Sequence, residues 1–205
     1  MSATKAILKD MLKEIGPYIE GRWILSDGGL LGLTRGKDLL DHDNDLDIYL
    51  FPNSYIKLPD DHPSLGITEY YMERKIYRKS EPKYKPNLWK EFVSYTSCLP
   101  EAKGMNRAQL FKLAKEPYKT ERIIPEFSLP YIDVFQLQKL DEKQDIFTIP
   151  IWTEFKGHHF KVEELIDIQI NMDLGFAIPV PNKADDILER LYGRDWRIEN
   201  KTFQY

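Results

Sequence analysis

The apolar positions near the start of the chain recur at helical spacing. Five of them lie between lysines and acids: Ile7, Leu8, Met11, Leu12 and Ile15. Residues three and four positions apart share one face of a helix, so the pattern predicts an amphipathic helix over residues 4–20. Gly16 and Pro17 are expected to weaken or end it, because proline cannot continue the hydrogen-bond ladder.

A short apolar run, a glycine pair and an alternating acidic run come next. Residues 23–25 predict a short buried strand that leads into Gly28 and Gly29. The leucines of residues 30–33 predict a brief helix packed against that strand. In residues 45–51 acids alternate with apolar residues, which is the pattern of a strand with one face in a core.

The remaining segments are less regular. Residues 67–77 and 92–96 are rich in strand formers, residues 105–119 are partly helical in pattern, and residues 145–162 favour a hairpin or an extended pair. Residues 131–137 predict a third main strand, with Asp133 on the face opposite Ile132 and Val134. A last helix is expected after Asn182 as its N-cap, with Asp185 three residues on and an apolar stripe of Ile187, Leu188 and Leu191.

The acidic strand carries the clearest chemistry. Asp45 and Asp47 point to the same strand face, and a divalent cation would relieve their mutual repulsion. A solvated turn is the ordinary alternative for such a pair. A calcium loop starting at Asp43 is excluded, because its glycine position holds Ile48 and its glutamate position holds Ser54.

The glycine pair adds a second chemical feature. Small residues at the start of a helix leave free backbone N–H groups that favour an anion, so Gly28 and Gly29 predict a phosphate site. A simple turn is the alternative. A metal site beside a phosphate site is typical of phosphoryl- or nucleotidyl-transfer enzymes.

Four motifs in order resemble the LicD/fukutin family of the nucleotidyltransferase-fold, polymerase-beta-like superfamily. They span most of the chain and are Gly28-Gly29-Leu30-Leu31-Gly32-Leu33-Thr34-Arg35, Asp43-Asn44-Asp45-Leu46-Asp47-Ile48, Ile132-Asp133-Val134-Phe135 and Tyr192-Gly193-Arg194-Asp195-Trp196. Two positions depart from the family pattern. Gly29 stands where the family has a threonine or serine, and Asn44 stands where the family has an acid.

The resemblance implies a single α+β domain over residues 1–205, with a nucleotidyltransferase-like mixed β-sheet flanked by helices. It implies that Asp45 and Asp47 bind Mg²⁺ or Mn²⁺, and that Asp133 is the third metal ligand or accepts a proton from an attacking hydroxyl. Gly28 and Gly29 would contact the donor phosphates. Arg35 would bind a phosphate, or would merely favour the helix dipole at a helix end.

The function implied is transfer of a phosphate-linked group, of the phosphocholine or polyol phosphate type, from a nucleotide-diphosphate donor to a glycan hydroxyl. A CDP-linked donor is favoured. Such glycan modification belongs to lipopolysaccharide or teichoic acid biosynthesis. Two alternatives stay open: nucleotidyl transfer to a small molecule or protein, and a catalytically inactive binding domain of the same fold.

Composition narrows these classes. The 205 residues carry a net charge of −4, which argues against nonspecific nucleic-acid binding. Residues 74–90 form a basic and aromatic stretch, expected to be either an exposed insertion or a wall of the substrate site. Cys98 is the single cysteine, and the four histidines lack zinc-site spacing. With no apolar run long enough for a membrane span and no signal-peptide pattern, a cytoplasmic protein is expected, or alternatively a soluble catalytic part of an anchored lumenal one.

Overall fold

A computed structural model gives the arrangement of most of these segments. It describes residues 2–70, 73–84, 127–141, 144–149 and 158–199. The strand predicted at residues 92–96 and the helical segment predicted at residues 105–119 lie outside them. Helices and mixed sheets together make the fold α+β, which confirms the predicted class.

The helices lie near the two ends of the described chain, and most of the strands lie between them. The helices of the described residues are α1 Ala3–Ile15, α2 Asp27–Gly36, α3 Val162–Leu165 and α4 Ala184–Tyr192. The strands are β1 Ile19–Glu20, β2 Trp23–Ser26, β3 Asp45–Leu50, β4 Tyr55–Ile56, β5 Leu65–Tyr70, β6 Glu73–Arg78, β7 Lys83–Tyr84, β8 Phe127–Ser128, β9 Tyr131–Gln136, β10 Gln138–Asp141, β11 Gln144–Thr148, β12 Phe160–Lys161, β13 Ile168–Asn171 and β14 Ile178–Pro181.

A five-stranded mixed sheet forms the centre, in the order β2-β3-β9-β6-β5. Strands β3 and β9 are parallel, and the other neighbours are antiparallel. The acidic strand β3 therefore has β9, the strand of Asp133, as its direct neighbour.

The apolar residues of these strands fill one side of the sheet. Leu46 and Ile48 of β3 and Ile132 of β9 are fully buried. Helix α2 packs on this side, because a side chain at Gly29 would meet Leu25 and Leu46. The acids of β3 and β9 consequently point to the opposite side.

Helix α1 is shorter than predicted. The Ser2 hydroxyl accepts a hydrogen bond from the backbone N–H of Lys5 at 3.1 Å and caps the helix start. The helix ends at Ile15, and Gly16–Tyr18 form a 3₁₀ turn with Pro17 inside it. The prediction that Gly16 and Pro17 end the helix is confirmed, whereas the range to residue 20 is wrong, because residues 19–20 belong to strand β1.

The C-terminal region follows the sequence pattern with one correction. Strands β11 and β12 pair antiparallel within the predicted 145–162 region. In α4 the predicted stripe residues Ile187 and Leu188 are buried. The predicted cap is wrong: Lys183 occupies the N-cap position without a side-chain cap, and Asn182 donates its backbone N–H to the carbonyl of Asp167 at 2.8 Å.

Across the described ranges, no helix is both long and apolar enough to span a bilayer.

Candidate active site

The centre of the candidate site is a row of charged side chains across three strands. Asp47 of β3 pairs in register with Asp133 of β9, and Asp133 pairs with Lys75 of β6. Residues directly opposite each other point to the same side of a sheet, and neighbouring strands lie about 4.8 Å apart. The structure therefore brings Asp47, Asp133 and Lys75 together on one face.

Asp45 lies one step along β3 on the same face. It pairs in register with Tyr131 of β9, whose hydroxyl makes a hydrogen bond to the Asp45 carboxylate. Asp45 and Asp47 are both half-buried, whereas Asp133 is 7% exposed. The two acids of β3 are thus the more accessible members of the group.

Lys75 is a buried cation in the middle of these acids. Its Nζ lies 2.6 Å from Asp133 Oδ1 and 2.8 Å from Glu73 Oε1. It also lies 4.2 Å from the centre of the Tyr131 ring, a cation–π distance. Burial lowers the pKa of Lys75, but the charges of Asp133 and Glu73 outweigh it and raise that pKa overall, so the lysine is charged.

Burial and neighbouring charges raise the pKa of each acid in this group. Burial raises the pKa of Asp45, and the charge of Asp27 adds to this, while Lys75 opposes it. Burial and the charges of Asp27, Asp45 and Asp133 raise the pKa of Asp47 well above its usual range. Burial and the charge of Glu73 do the same to the pKa of Asp133. Each rise means that the protein disfavours the ionised form, so added positive charge is stabilising here.

A second group of polar side chains lies beside this row, at the start of α2. Asp27 is the first residue of α2 and has a backbone φ of +43°, a conformation that L residues rarely adopt. Its carboxylate accepts a hydrogen bond from the Tyr49 hydroxyl and lies 3.3 Å from Nε2 of His158. Burial, then the charges of Asp27 and Asp47, raise the pKa of Tyr49 well above its usual range, so its hydroxyl stays protonated.

The predicted phosphate position is partly occupied by the chain itself. A side chain at Gly28 would meet Asp43 Oδ2 at 2.7 Å, so the absence of one lets the Asp43 carboxylate approach the helix start. That oxygen is buried and has no hydrogen-bond partner among the described residues. Burial, then the charge of Asp45, raise the pKa of Asp43 to about 6.

Gly29 faces the core instead. A side chain there would meet Leu25 Cδ1 at 2.8 Å and Leu46 Cδ2 at 3.0 Å. The glycine therefore allows α2 to lie close to the sheet, and the family's hydroxyl would point into this apolar contact. Gly29 can therefore contact an anion through its backbone N–H in the first turn of the helix, and not through a side chain.

Arg35 lies at the other end of α2, away from the acids. Its guanidinium donates a hydrogen bond to the backbone carbonyl of Trp196. The structure thus does not bring Arg35 to the start of α2, and its contact ties the C-terminal segment to that helix.

Asp45, Asp47 and Asp133 together form what we call the acid group, and its chemistry suits a divalent cation. Carboxylate oxygens are the ligands that Mg²⁺ and Mn²⁺ prefer, and Asp45 and Asp47 present two of them on one accessible face. Burial raises the pKa of both acids, and the neighbouring carboxylates Asp27 and Asp133 add to the rise at Asp47. In the described part of the chain, no three His, Cys, Asp or Glu side chains already converge on a common point for a metal. One reason is visible in the ion pair of Asp133 with Lys75.

Several residues of this site were not predicted from the sequence, among them Asp27, Tyr49, Glu73, Lys75, Tyr131 and His158. The strand period of two gives a partial signal for Lys75, because it places Lys75 on the face opposite the apolar Ile76. Nothing in the spacing of Asp27 and His158, which are 131 residues apart, indicates their contact.

Comparison of the sequence with models of protein families and with curated proteins finds no match.

Proposed function

We propose that this protein is a metal-dependent transferase that moves a phosphate-linked group from a nucleotide-diphosphate donor to a glycan hydroxyl. The observation that carries the proposal is the acid group: Asp45 and Asp47 on β3 and Asp133 on the parallel neighbour β9, all on one face beside the start of α2. This arrangement agrees with the one expected from the sequence resemblance, in which an acidic pair and a third acid come from neighbouring strands.

In this proposal Asp45 and Asp47 hold a divalent cation, Mg²⁺ or Mn²⁺. The cation supplies positive charge that offsets the charge of the donor phosphates. The half-buried position of both acids leaves them open to a ligand from solvent.

The remaining residues act on the donor and the acceptor. Backbone N–H groups in the first turn of α2 would bind the donor phosphates, because the free N–H groups and the dipole of a helix start favour negative charge. The acceptor hydroxyl attacks the phosphorus that carries the transferred group, forming a new O–P bond. The bond from that phosphorus to the bridging oxygen breaks, and a nucleoside monophosphate leaves. The hydroxyl proton passes to Asp133, the third acid of the site.

The test has a binding stage and a product stage. Cytidine, uridine, guanosine and adenosine diphosphate conjugates are screened by thermal shift, each with and without Mg²⁺ or Mn²⁺. A matching donor stabilises the protein by about 2.7 kcal/mol at one hundred times its Kd, so it stands out from the others. We expect a CDP-linked donor to give the largest shift, and only with metal present.

Product analysis then separates the functions. A released nucleoside monophosphate together with a phosphate-modified glycan supports the proposal. A nucleotide attached to the acceptor indicates nucleotidyl transfer. Binding without metal dependence and without a product indicates an inactive binding domain and contradicts the proposal.

A further inference from the structure

Lys75 gives the acid group an internal cation. Its side chain is 5% exposed, and its ammonium lies within 2.8 Å of both Asp133 and Glu73. A buried ammonium is costly unless acids surround it, and these two acids do so. Asp133 is therefore already paired with a positive charge that belongs to the protein.

The acids differ in how easily a cation from solvent can reach them. Asp133 is 7% exposed, and its Oδ1 is engaged by the lysine. Asp45 and Asp47 are more exposed, and the structure gives neither of them a salt bridge with a lysine or an arginine among the described residues. A divalent ion that arrives from solvent therefore meets Asp45 and Asp47, whose carboxylates are in no such direct ion pair among the described residues, before it meets Asp133.

We infer that Lys75 is a positioning residue that keeps the Asp133 carboxylate bound to its own ammonium, so that the divalent cation is held by Asp45 and Asp47 without Asp133. This inference rests on the proposed function. It separates the three acids into a metal-binding pair and one acid held in place to face the acceptor.

The inference makes an unusual prediction about metal affinity. If Asp133 were a ligand, removing it would weaken metal binding, and losses of about tenfold or more are typical even for groups that support ligands. If Lys75 and Asp133 form a neutral pair beside the metal, removing both together leaves the net charge and the ligand set unchanged. Removing Lys75 alone releases Asp133 and removes a repelling charge, so affinity should increase.

The experiment measures binding of Mn²⁺ chloride by the loss of the free Mn²⁺ electron paramagnetic resonance signal, with no donor present. The double variant Lys75→Met/Asp133→Asn should bind Mn²⁺ within about threefold of the wild-type protein, the margin expected when a pair makes no net contribution. Lys75→Met alone should bind about fivefold more tightly, because one nearby positive charge is lost. A double variant about tenfold weaker than wild type would contradict the inference.

A matched control is available in Lys5, another buried lysine. Its Nζ lies 2.7 Å from Asp41 and 3.4 Å from Asp38, away from the sheet face. Lys5→Met should leave Mn²⁺ affinity unchanged. An equal gain in Lys5→Met and Lys75→Met would mean that net charge alone is responsible, and it would overturn the inference.

Folding and kinetics complete the test. Lys75→Met removes the ammonium that Asp133 and Glu73 share, so circular dichroism of each variant checks that the protein is still folded. Lys75→Arg keeps the charge and should retain Mn²⁺ affinity and most of the turnover. Asp133→Asn in the double variant should lower kcat with little change in donor KM, a split that a purely structural role would not produce.

The two proposals fail in different ways. Wild-type protein that binds no Mn²⁺ contradicts the proposed function and this inference together. Wild-type protein that binds Mn²⁺, combined with a double variant that has lost it, contradicts this inference and leaves the proposed function standing.

Discussion

Replacing Asp43 by asparagine should stabilise the metal-free protein at neutral pH. The Asp43 carboxylate lies beside Gly28 with a buried oxygen that has no hydrogen-bond partner among the described residues. Burial, then the charge of Asp45, raise its pKa from 3.8 to about 6. Ionising Asp43 therefore costs more in the folded protein than in the unfolded chain, and asparagine removes that cost while keeping the shape of the side chain.

The magnitude follows from the pKa difference. One pKa unit corresponds to 1.36 kcal/mol, so a rise of about 2 units corresponds to about 3 kcal/mol as an upper bound for this half-buried group. Because the folded pKa is the higher one, the folded protein binds more protons between about pH 4 and pH 6. Stability is therefore greatest below about pH 4 and is lost as the pH rises to about 6.

The assay is urea unfolding in the presence of EDTA, at several pH values between 4 and 8. Asp43→Asn should gain up to about 3 kcal/mol in unfolding free energy at pH 7 and nothing at pH 4. Asp60→Asn changes an exposed aspartate and should stay within about 0.5 kcal/mol of wild type throughout. A gain that is the same at pH 4 and pH 7 would refute the electrostatic explanation, and a loss at pH 7 would show that the carboxylate has a stabilising partner.

Two further substitutions test the placement of α2. Gly29→Ser should lower the unfolding free energy by about 1–3 kcal/mol, because its side chain must displace Leu25 or Leu46, and it should not improve donor binding. Wild-type stability of this variant in chemical denaturation would contradict the packing of Gly29 against these leucines. Arg35→Ala should lower the unfolding free energy by about 1–3 kcal/mol and make the C-terminal segment more sensitive to proteolysis, because the carbonyl of Trp196 loses its hydrogen bond from the guanidinium. A loss of affinity for the nucleotide-linked substrate at unchanged stability would instead indicate that Arg35 binds its phosphate.

The parts of the fold that the sequence predicted are those with a strong local pattern. The alternation of acids and apolar residues predicted the strands β3 Asp45–Leu50 and β9 Tyr131–Gln136. It also predicted the face on which each acid lies, because side chains alternate along a strand with a period of two. The glycine and leucine pattern likewise predicted α2. Helix boundaries were predicted less well. The helix α1 ends at the Gly16-Pro17 pair, although its predicted range ran to residue 20, and α4 begins after Lys183 without the side-chain cap predicted at Asn182.

The sequence pattern did not predict contacts between segments that are far apart along the chain. Local spacing cannot show that Lys75 lies opposite Asp133, because the register of β6 against β9 depends on the whole sheet. The same holds for Arg35, whose place at a helix end suits a phosphate contact as well as its bond to Trp196. Gly29 was assigned to the phosphate site from its motif, and only the packing of α2 on Leu25 and Leu46 shows which way it faces.

The most direct test of the account is metal-dependent donor binding by wild-type protein and by Asp47→Asn, measured by isothermal titration of a CDP-linked donor with Mg²⁺ present and with EDTA. Asp47 lies one step from Asp45 on β3 and opposite Asp133 on β9, so its loss should remove the cation and weaken donor binding by about tenfold or more. Asp60→Asn should bind the donor as wild type does. Without metal, Asp47→Asn should unfold at the same or a higher temperature, because a carboxylate whose pKa is raised by burial and by neighbouring acids is gone. Donor binding that is equal in wild type and Asp47→Asn, or that is unaffected by EDTA, would contradict the claim that these acids form a metal-dependent transfer site.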